Sequence, residues 1–215
     1  MEKIIALPLQ TTDQWGLTSI GYDLKITHPK ASLQDYLETL DNFAIANLAP
    51  CLGCDGCCHE RAPLTVWDIY ALSSLLPQSA YPCHQVVKAF ALVKTAAEGW
   101  TDISLNRTGG NCIFLEADLK KCTNHPKRPF VCRSHYCIPQ SPLALGLRTQ
   151  IVNKGEDLLV AQLLKEAEDG AEGILPPYIK KTDYPKPQNE QIFAAYGDIL
   201  LKDICQDDLW QALNA

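Results

Sequence analysis

No stretch of the 215 residues reaches the run of about 18 apolar residues that a membrane-crossing helix needs. The opening Met1-Glu2-Lys3-Ile4-Ile5-Ala6-Leu7-Pro8 lacks the long apolar region of a signal peptide, so the chain reads as cytoplasmic. Positive charge is also short. Nineteen lysines and arginines face 25 acidic residues, for a net charge of −6 and a pI near 5.3. That balance argues against nucleic acid or an anionic membrane as the main partner and leaves another protein as the expected one. Ser-His-Asp patterns, phosphate loops and dinucleotide fingerprints are missing, so no particular reaction is indicated. There is no internal repeat and no low-complexity segment.

What is plentiful is cysteine. Ten are present, and Cys51, Cys54, Cys57 and Cys58 fall within eight residues. The rest of the composition, 47% hydrophobic and 20% charged, is that of an ordinary folded protein able to bury a core without cross-links. In a reducing cytosol, clustered thiols serve as metal ligands more often than as redox relays or structural disulfides. A second cysteine-rich stretch holds Cys112, Cys122, Cys132 and Cys137, and the two read as halves of one device.

Taken in order, Ile20, Tyr22, Leu24 and Ile26 show the period-2 pattern of a half-buried strand, and Glu2–Leu9 can pair with it, Pro8 at an edge. Ser32 and Asp35 announce a capped helix to about Asn47. Thr65 and Asp68 announce a second over Val66–Leu76. A third is expected over His84–Glu98, stopped by Gly99. Short strands are expected within Thr101–Leu115, a strand at Leu147–Val152 and a helix over Glu156–Asp169 ending at Gly170. Prolines 176, 177, 185 and 187 mark an extended arm over 174–188, followed by a helical stretch from Asn189 to Leu213. Three regions result: 1–50, a β element with a lead-in helix; 51–137, the cysteine core; and 138–215, a helical extension with the proline-rich arm. The fold class is α+β, mainly helical, with helices around a cysteine-ligated metal site.

Cys51, Cys54 and Cys57 make a C-x2-C-x2-C run, the spacing that opens ferredoxin-type iron–sulfur sequences. The fourth ligand is then sought among Cys112, Cys122 and Cys132. Cys58 breaks the ferredoxin pattern, and as a neighbour of Cys57 it is expected to point away from it. Zinc fits the arithmetic as well, because structural zinc takes four thiolates, often from C-x2-C knuckles and a distant pair. Thiolate softness selects zinc, iron–sulfur or copper(I) and does not choose among them. His59, His125, His135 and Cys137 are further candidate ligands. Arg128 and Arg133 are candidates for hydrogen bonds to sulfur that offset the charge of the thiolates. Cys83 and Cys205 have no role readable beyond packing.

The ordered series Cys51-x2-Cys54-x2-Cys57-Cys58, Cys112-Ile113-Phe114-Leu115, Cys122 and Arg128-Pro129-Phe130-Val131-Cys132-Arg133 resembles the CxxCxxCC cysteine-cluster family, a zinc- or iron-chelating domain, over residues 51–133. The resemblance implies metal chelation by Cys51, Cys54, Cys57, Cys58, Cys112, Cys122 and Cys132. The expected function is an iron–sulfur protein, holding a 4Fe–4S cluster for electron transfer, iron handling or assembly of another complex. A zinc-stabilised interaction module is the alternative. An enzyme using the site for radical or thiol chemistry comes third.

Overall fold

In the computed structural model the chain forms β1 (Ile4–Thr12), β2 (Thr18–Ile26), α1 (Leu33–Asn47), α2 (Val66–Ser73), α3 (Cys83–Phe90), β3 (Ala91–Thr95) and β4 (Thr101–Leu105). Four two-residue strands follow, β5 (Arg107–Thr108), β6 (Asn111–Cys112), β7 (Leu115–Glu116) and β8 (Lys121–Cys122), then α4 (Phe130–Arg133), α5 (Pro142–Glu168) and α6 (Asp207–Asn214). The structure describes residues 2–12, 14–48, 54–77, 81–95, 101–176, 179, 184 and 195–215. The class is mixed α+β, with each strand paired antiparallel to its neighbour in chain order. No helix among the described residues is long and apolar enough to cross a membrane.

Two compact units share the chain. One comprises Met1–Pro50, Arg133–Ile151 and Tyr196–Ala215; the other comprises Cys51–Cys132 and Val152–Ala195. The first is built on the β1–β2 hairpin, with Ile4 opposite Ile26 and Pro8 opposite Tyr22. One hairpin face buries Ile4, Tyr22, Leu24 and Ile26, and α1 buries Tyr36, Leu37, Leu40 and Phe43. Tyr22 and Phe43 meet with ring centroids 5.7 Å apart. The start of α1 is fixed by a reciprocal cap: the Asp35 N–H donates to Ser32 Oγ at 3.2 Å, and the Ser32 N–H donates to Asp35 Oδ2 at 2.8 Å. A cap of this kind contributes about 1 kcal/mol.

The second unit repeats the device. Thr65 caps α2, with Asp68 returning the bond to the Thr65 N–H at 2.7 Å. The far part of α5 lies in this unit, and there Gly155 allows a close approach to α2: a Cβ on it would fall 2.5 Å from Thr65 Cβ. Glu166, two residues before the end of α5, accepts the N–H groups of both Cys83 and His84 at 2.9 Å and lies 2.8 Å from His84 Nδ1, capping α3 from outside. Arg61 bridges Asp102 of β4 at 2.6 Å and Glu156 of α5 at 3.2 Å. Burial, helped by Asp102 and Asp157 and opposed by Arg61, pushes the Glu156 carboxyl up from 4.5 to about 7. The folded chain therefore holds that proton after the unfolded chain has lost it, and stability falls as pH rises between those values. Glu156→Gln should flatten the pH profile of the melting temperature over that window, by on the order of 1 kcal/mol after solvent screening. An unchanged slope would place the titrating group elsewhere.

Three sequence expectations give way. The helix expected to run to Glu98 ends at Phe90, and Ala91–Thr95 is a strand paired with Thr101–Leu105; Glu98 and Gly99 lie outside the described residues. The alternation of half-buried Ala91, Val93 and Thr95 with exposed Leu92 and Lys94 fits a strand, and the Ile103 and Ser104 partners hold it. Leu147–Val152 is not a strand but the middle of α5, whose buried Ala144, Leu147 and Ile151 keep helical spacing. Of the C-terminal stretch from Asn189, the described part is two 3-10 turns, Tyr196–Asp198 and Leu201–Asp203, and α6, rather than one helix. Most of the proline-rich arm, Pro177, Pro185 and Pro187 included, lies outside the described residues.

Candidate metal centre

The candidate ligand thiols of the second unit sit on a 3-10 turn, two short hairpin strands and a one-turn helix. Cys57 and Cys58 ride a 3-10 turn, Gly56–His59, closed by the Cys58 N–H donating to the Asp55 carbonyl at 2.8 Å. Cys112 ends β6, and the Phe114 N–H donates to its sulfur at 3.5 Å. Cys122 ends β8, opposite Leu115. Cys132 lies in α4, two residues after Phe130, whose N–H donates to the buried Asp68 carboxylate at 2.6 Å.

Across these four segments, charge links Cys58 to Cys57, Cys112 and Cys122, and Cys132 to Cys57 and Cys112. Burial first, then the neighbouring Cys57, Cys112 and Cys122, pushes the Cys58 thiol up to about 12. Burial raises Cys112, with Cys122 and Cys57 adding to the rise and the Phe114 N–H and Arg107 opposing it. Cys132 is raised by burial, then by Asp68, Cys112 and Cys57, against the pull of Arg128. Cys57 and Cys58 are neighbours on the tight turn, and the charge of Cys57 adds to the rise of the Cys58 thiol. Thiolates crowded together repel, and a soft cation among them reverses that penalty. The donor set therefore fits a thiophilic metal. Among the described residues, no three His, Cys, Asp or Glu side chains stand at the spacing of a closed metal site. The thiols are gathered and not closed.

The other candidates are placed as follows. Cys51 lies outside the described residues, and Cys54 is exposed just before the 3-10 turn. His59 Nε2 is 3.3 Å from Asp55 Oδ2. His125 opens a 3-10 turn and its carbonyl accepts from Arg128 Nε at 3.2 Å. His135 and Cys137 belong to the first unit, their side chains 3.8 Å apart. Arg133, also there, pairs with Asp41 at 3.2 Å and lies over the Tyr196 ring at 5.9 Å. Cys83 is fully buried, and burial together with Glu166 pushes its thiol up. Burial raises Cys205 to about 12. Neither has the lowered thiol of a reactive cysteine.

Two residues that hold this arrangement were not legible as such. Arg107 donates to the Gly110 carbonyl at 3.0 Å through Nε and to the His59 carbonyl through its terminal nitrogen. It thereby ties the Cys57–Cys58 turn to the hairpin that carries Cys112. Asp68 announces itself as a helix cap, and its second oxygen proves to anchor the segment of Cys132.

Residues 50–154 match a family described as "Putative zinc- or iron-chelating domain". The chain is also similar to the uncharacterized protein MJ0661 of Methanocaldococcus jannaschii, 30% identical over 83 residues. That match covers 39% of this chain and 41% of the relative, so the chain spans about two fifths of the length of the curated relative it matches. No solved structure matches.

Proposed function

From the membership of residues 50–154 in the CxxCxxCC family, we propose that the chain holds an iron–sulfur cluster of the 4Fe–4S kind. We assign it to electron transfer, iron handling or assembly of another complex. The observation that carries the reading is the family match over residues 50–154, supported by Cys57, Cys58, Cys112, Cys122 and Cys132 on four segments of one unit. Cys51 and Cys54 extend the set through the C-x2-C-x2-C run, the spacing that opens ferredoxin-type iron–sulfur sequences. Such a cluster, when bound, supplies one-electron redox chemistry at a potential set by hydrogen bonds to sulfur, charge and burial.

The chain's own residues provide those levers. The Phe114 N–H points at Cys112 Sγ. Arg107 and Arg128 place positive charge beside Cys112 and Cys132 respectively, offsetting thiolate charge. Partial burial of Cys58, Cys112, Cys122 and Cys132 limits water at the sulfurs. A partner protein is the expected recipient or donor.

The second reading, a zinc module supporting an interaction surface, is favoured by the family description, which names zinc beside iron. The deciding experiment is anaerobic purification with metal analysis and a visible spectrum on one sample. Brown protein with several irons per chain and broad absorption near ~400 nm is expected. Colourless protein with stoichiometric zinc that unfolds on chelation would establish the zinc module instead. Protein that takes up neither metal would remove both readings.

A further inference from the structure

The β1–β2 ribbon has two strands only, so each strand has an outer edge to account for. Hydrogen-bond phase shows where each edge leads. The Thr27 N–H donates to the Lys3 carbonyl at 2.9 Å, which makes Lys3 and Thr27 a bonded pair in the register of the hairpin. Alternation then turns Ile5, Leu7 and Leu9 toward β2 and leaves the backbone groups of Ile4, Ala6 and Pro8 facing outward. The opposite edge obeys the same phase. Tyr22, paired with Pro8, donates its N–H to the Pro139 carbonyl at 3.0 Å and accepts from the Ser141 N–H at 2.9 Å.

The outer edge of β2 is thus occupied near Tyr22, while that of β1 is open. Among the described residues nothing bonds the Ala6 N–H, the Ala6 carbonyl or the Pro8 carbonyl. The Ile4 carbonyl receives only the Thr39 hydroxyl, at 3.4 Å. Pro8 is tolerated because the N–H it lacks would have pointed outward.

Beside this edge runs one stripe of α1, with Glu38, Asn42, Phe43 and Ala46 across a groove of about 540 Å³. The groove is lined by three carboxylates, Glu2, Asp35 and Glu38, and one ammonium, Lys3. Lys3 is committed to Asp35 at 2.9 Å, which leaves the exposed Glu2 and Glu38 to set the sign. On the other face of β1, Ile5 and Leu7 are 36% and 42% exposed.

An open strand edge, a helix wall, apolar side chains on both faces and an acidic rim are the elements of strand addition. We propose that the β1 edge is the docking groove for an extended, basic segment of a partner protein, which pairs with Ala6 and Pro8 as a third strand. Its alternate aliphatic side chains enter the groove against Phe43 and Ala46, and its lysines or arginines meet Glu2 and Glu38. A second copy of this chain fits less well, because it would bring the same carboxylates against one another.

The test uses the full chain and a fluorescein-labelled octapeptide of alternating valine and lysine, with a valine–glutamate octapeptide as its counterpart. Anisotropy should give a dissociation constant on the order of 100 μM for the lysine peptide and at least about tenfold weaker binding of the glutamate peptide. Ala6→Pro removes the outward donor at the phase where Pro8 is already accepted. It should weaken binding about tenfold while leaving the thermal melt in place. Glu38→Lys, on an exposed position, should weaken the lysine peptide and strengthen the glutamate peptide, and it decides the matter if Ala6→Pro fails to fold. Absence of binding, equal binding of both peptides, or indifference to Glu38→Lys would overturn the proposal. So would a wild-type dimer that Ala6→Pro converts to monomer, since the edge would then belong to a second copy.

Discussion

Asp68→Ala is expected to cost about 3–5 kcal/mol and to release metal together with structure. The carboxylate is fully buried and accepts three donors: the Thr65 N–H at 2.7 Å, the Thr65 hydroxyl at 2.8 Å and the Phe130 N–H at 2.6 Å. Alanine leaves both N–H groups buried without an acceptor, removes the cap of α2 and unties the segment that carries Cys132. Asn keeps one acceptor oxygen and should fall between, near 2 kcal/mol by the cost of one lost buried bond, ~1–3 kcal/mol. Denaturant melts of the metal-free and metal-loaded protein, with metal content measured on each variant, read both effects. A wild-type melt for Asp68→Ala would show that the buried carboxylate is not the anchor described.

The second large effect is expected at Gly155. A Cβ there would lie 2.5 Å from Thr65 Cβ, 2.7 Å from Thr65 Cγ2 and 3.0 Å from a Trp67 ring carbon. Two of these contacts are below any separation that carbon atoms accept, and Thr65 and Trp67 sit in the capped first turn of α2. Gly155→Val must push α5 and α2 apart, at about 2–3 kcal/mol. Because the displaced residue is the cap that Asp68 binds, Gly155→Val and Asp68→Ala should be less than additive, with the shortfall at least ~0.5 kcal/mol in a double-mutant cycle. Full additivity would mean that the close approach and the cap act independently.

These two residues also show what the sequence displays and what it conceals. Ser32 with Asp35 and Thr65 with Asp68 are legible because a capping box is complete within four residues. The hairpin is legible for the same reason, its alternation being local. The end of α3 is not, because Val86, Val87, Phe90, Ala91 and Val93 continue a helical spacing into a segment that tertiary pairing with Thr101–Leu105 makes a strand. Leu147–Val152 misleads in the opposite direction: β-branched Thr149, Ile151 and Val152 favour a strand locally, and the buried Ala144, Leu147 and Ile151 of α5 make it helix. In the metal centre, cysteine spacing marks the thiols. The Arg107 bridge left no trace, because its acceptors are backbone carbonyls of His59 and Gly110, which have no side-chain signature. Arg133 stood as close in sequence to Cys132 as a candidate could, yet its geometry is set by Asp41 and Tyr196.

The spread of the gathered thiols along the chain bears on how the protein is made. Cys57 and Cys58 leave the ribosome early, whereas Cys132 and the Phe130 anchor to Asp68 emerge much later. Until then the early thiols have no later partners, and oxidants or stray metals compete for them. A metal held by both the early and the late thiols would be captured late, together with folding, and would staple a long loop as a cross-link does. Supplying the chelated metal, zinc or iron, and reducing conditions throughout synthesis should yield more intact protein than adding them to the purified chain afterwards.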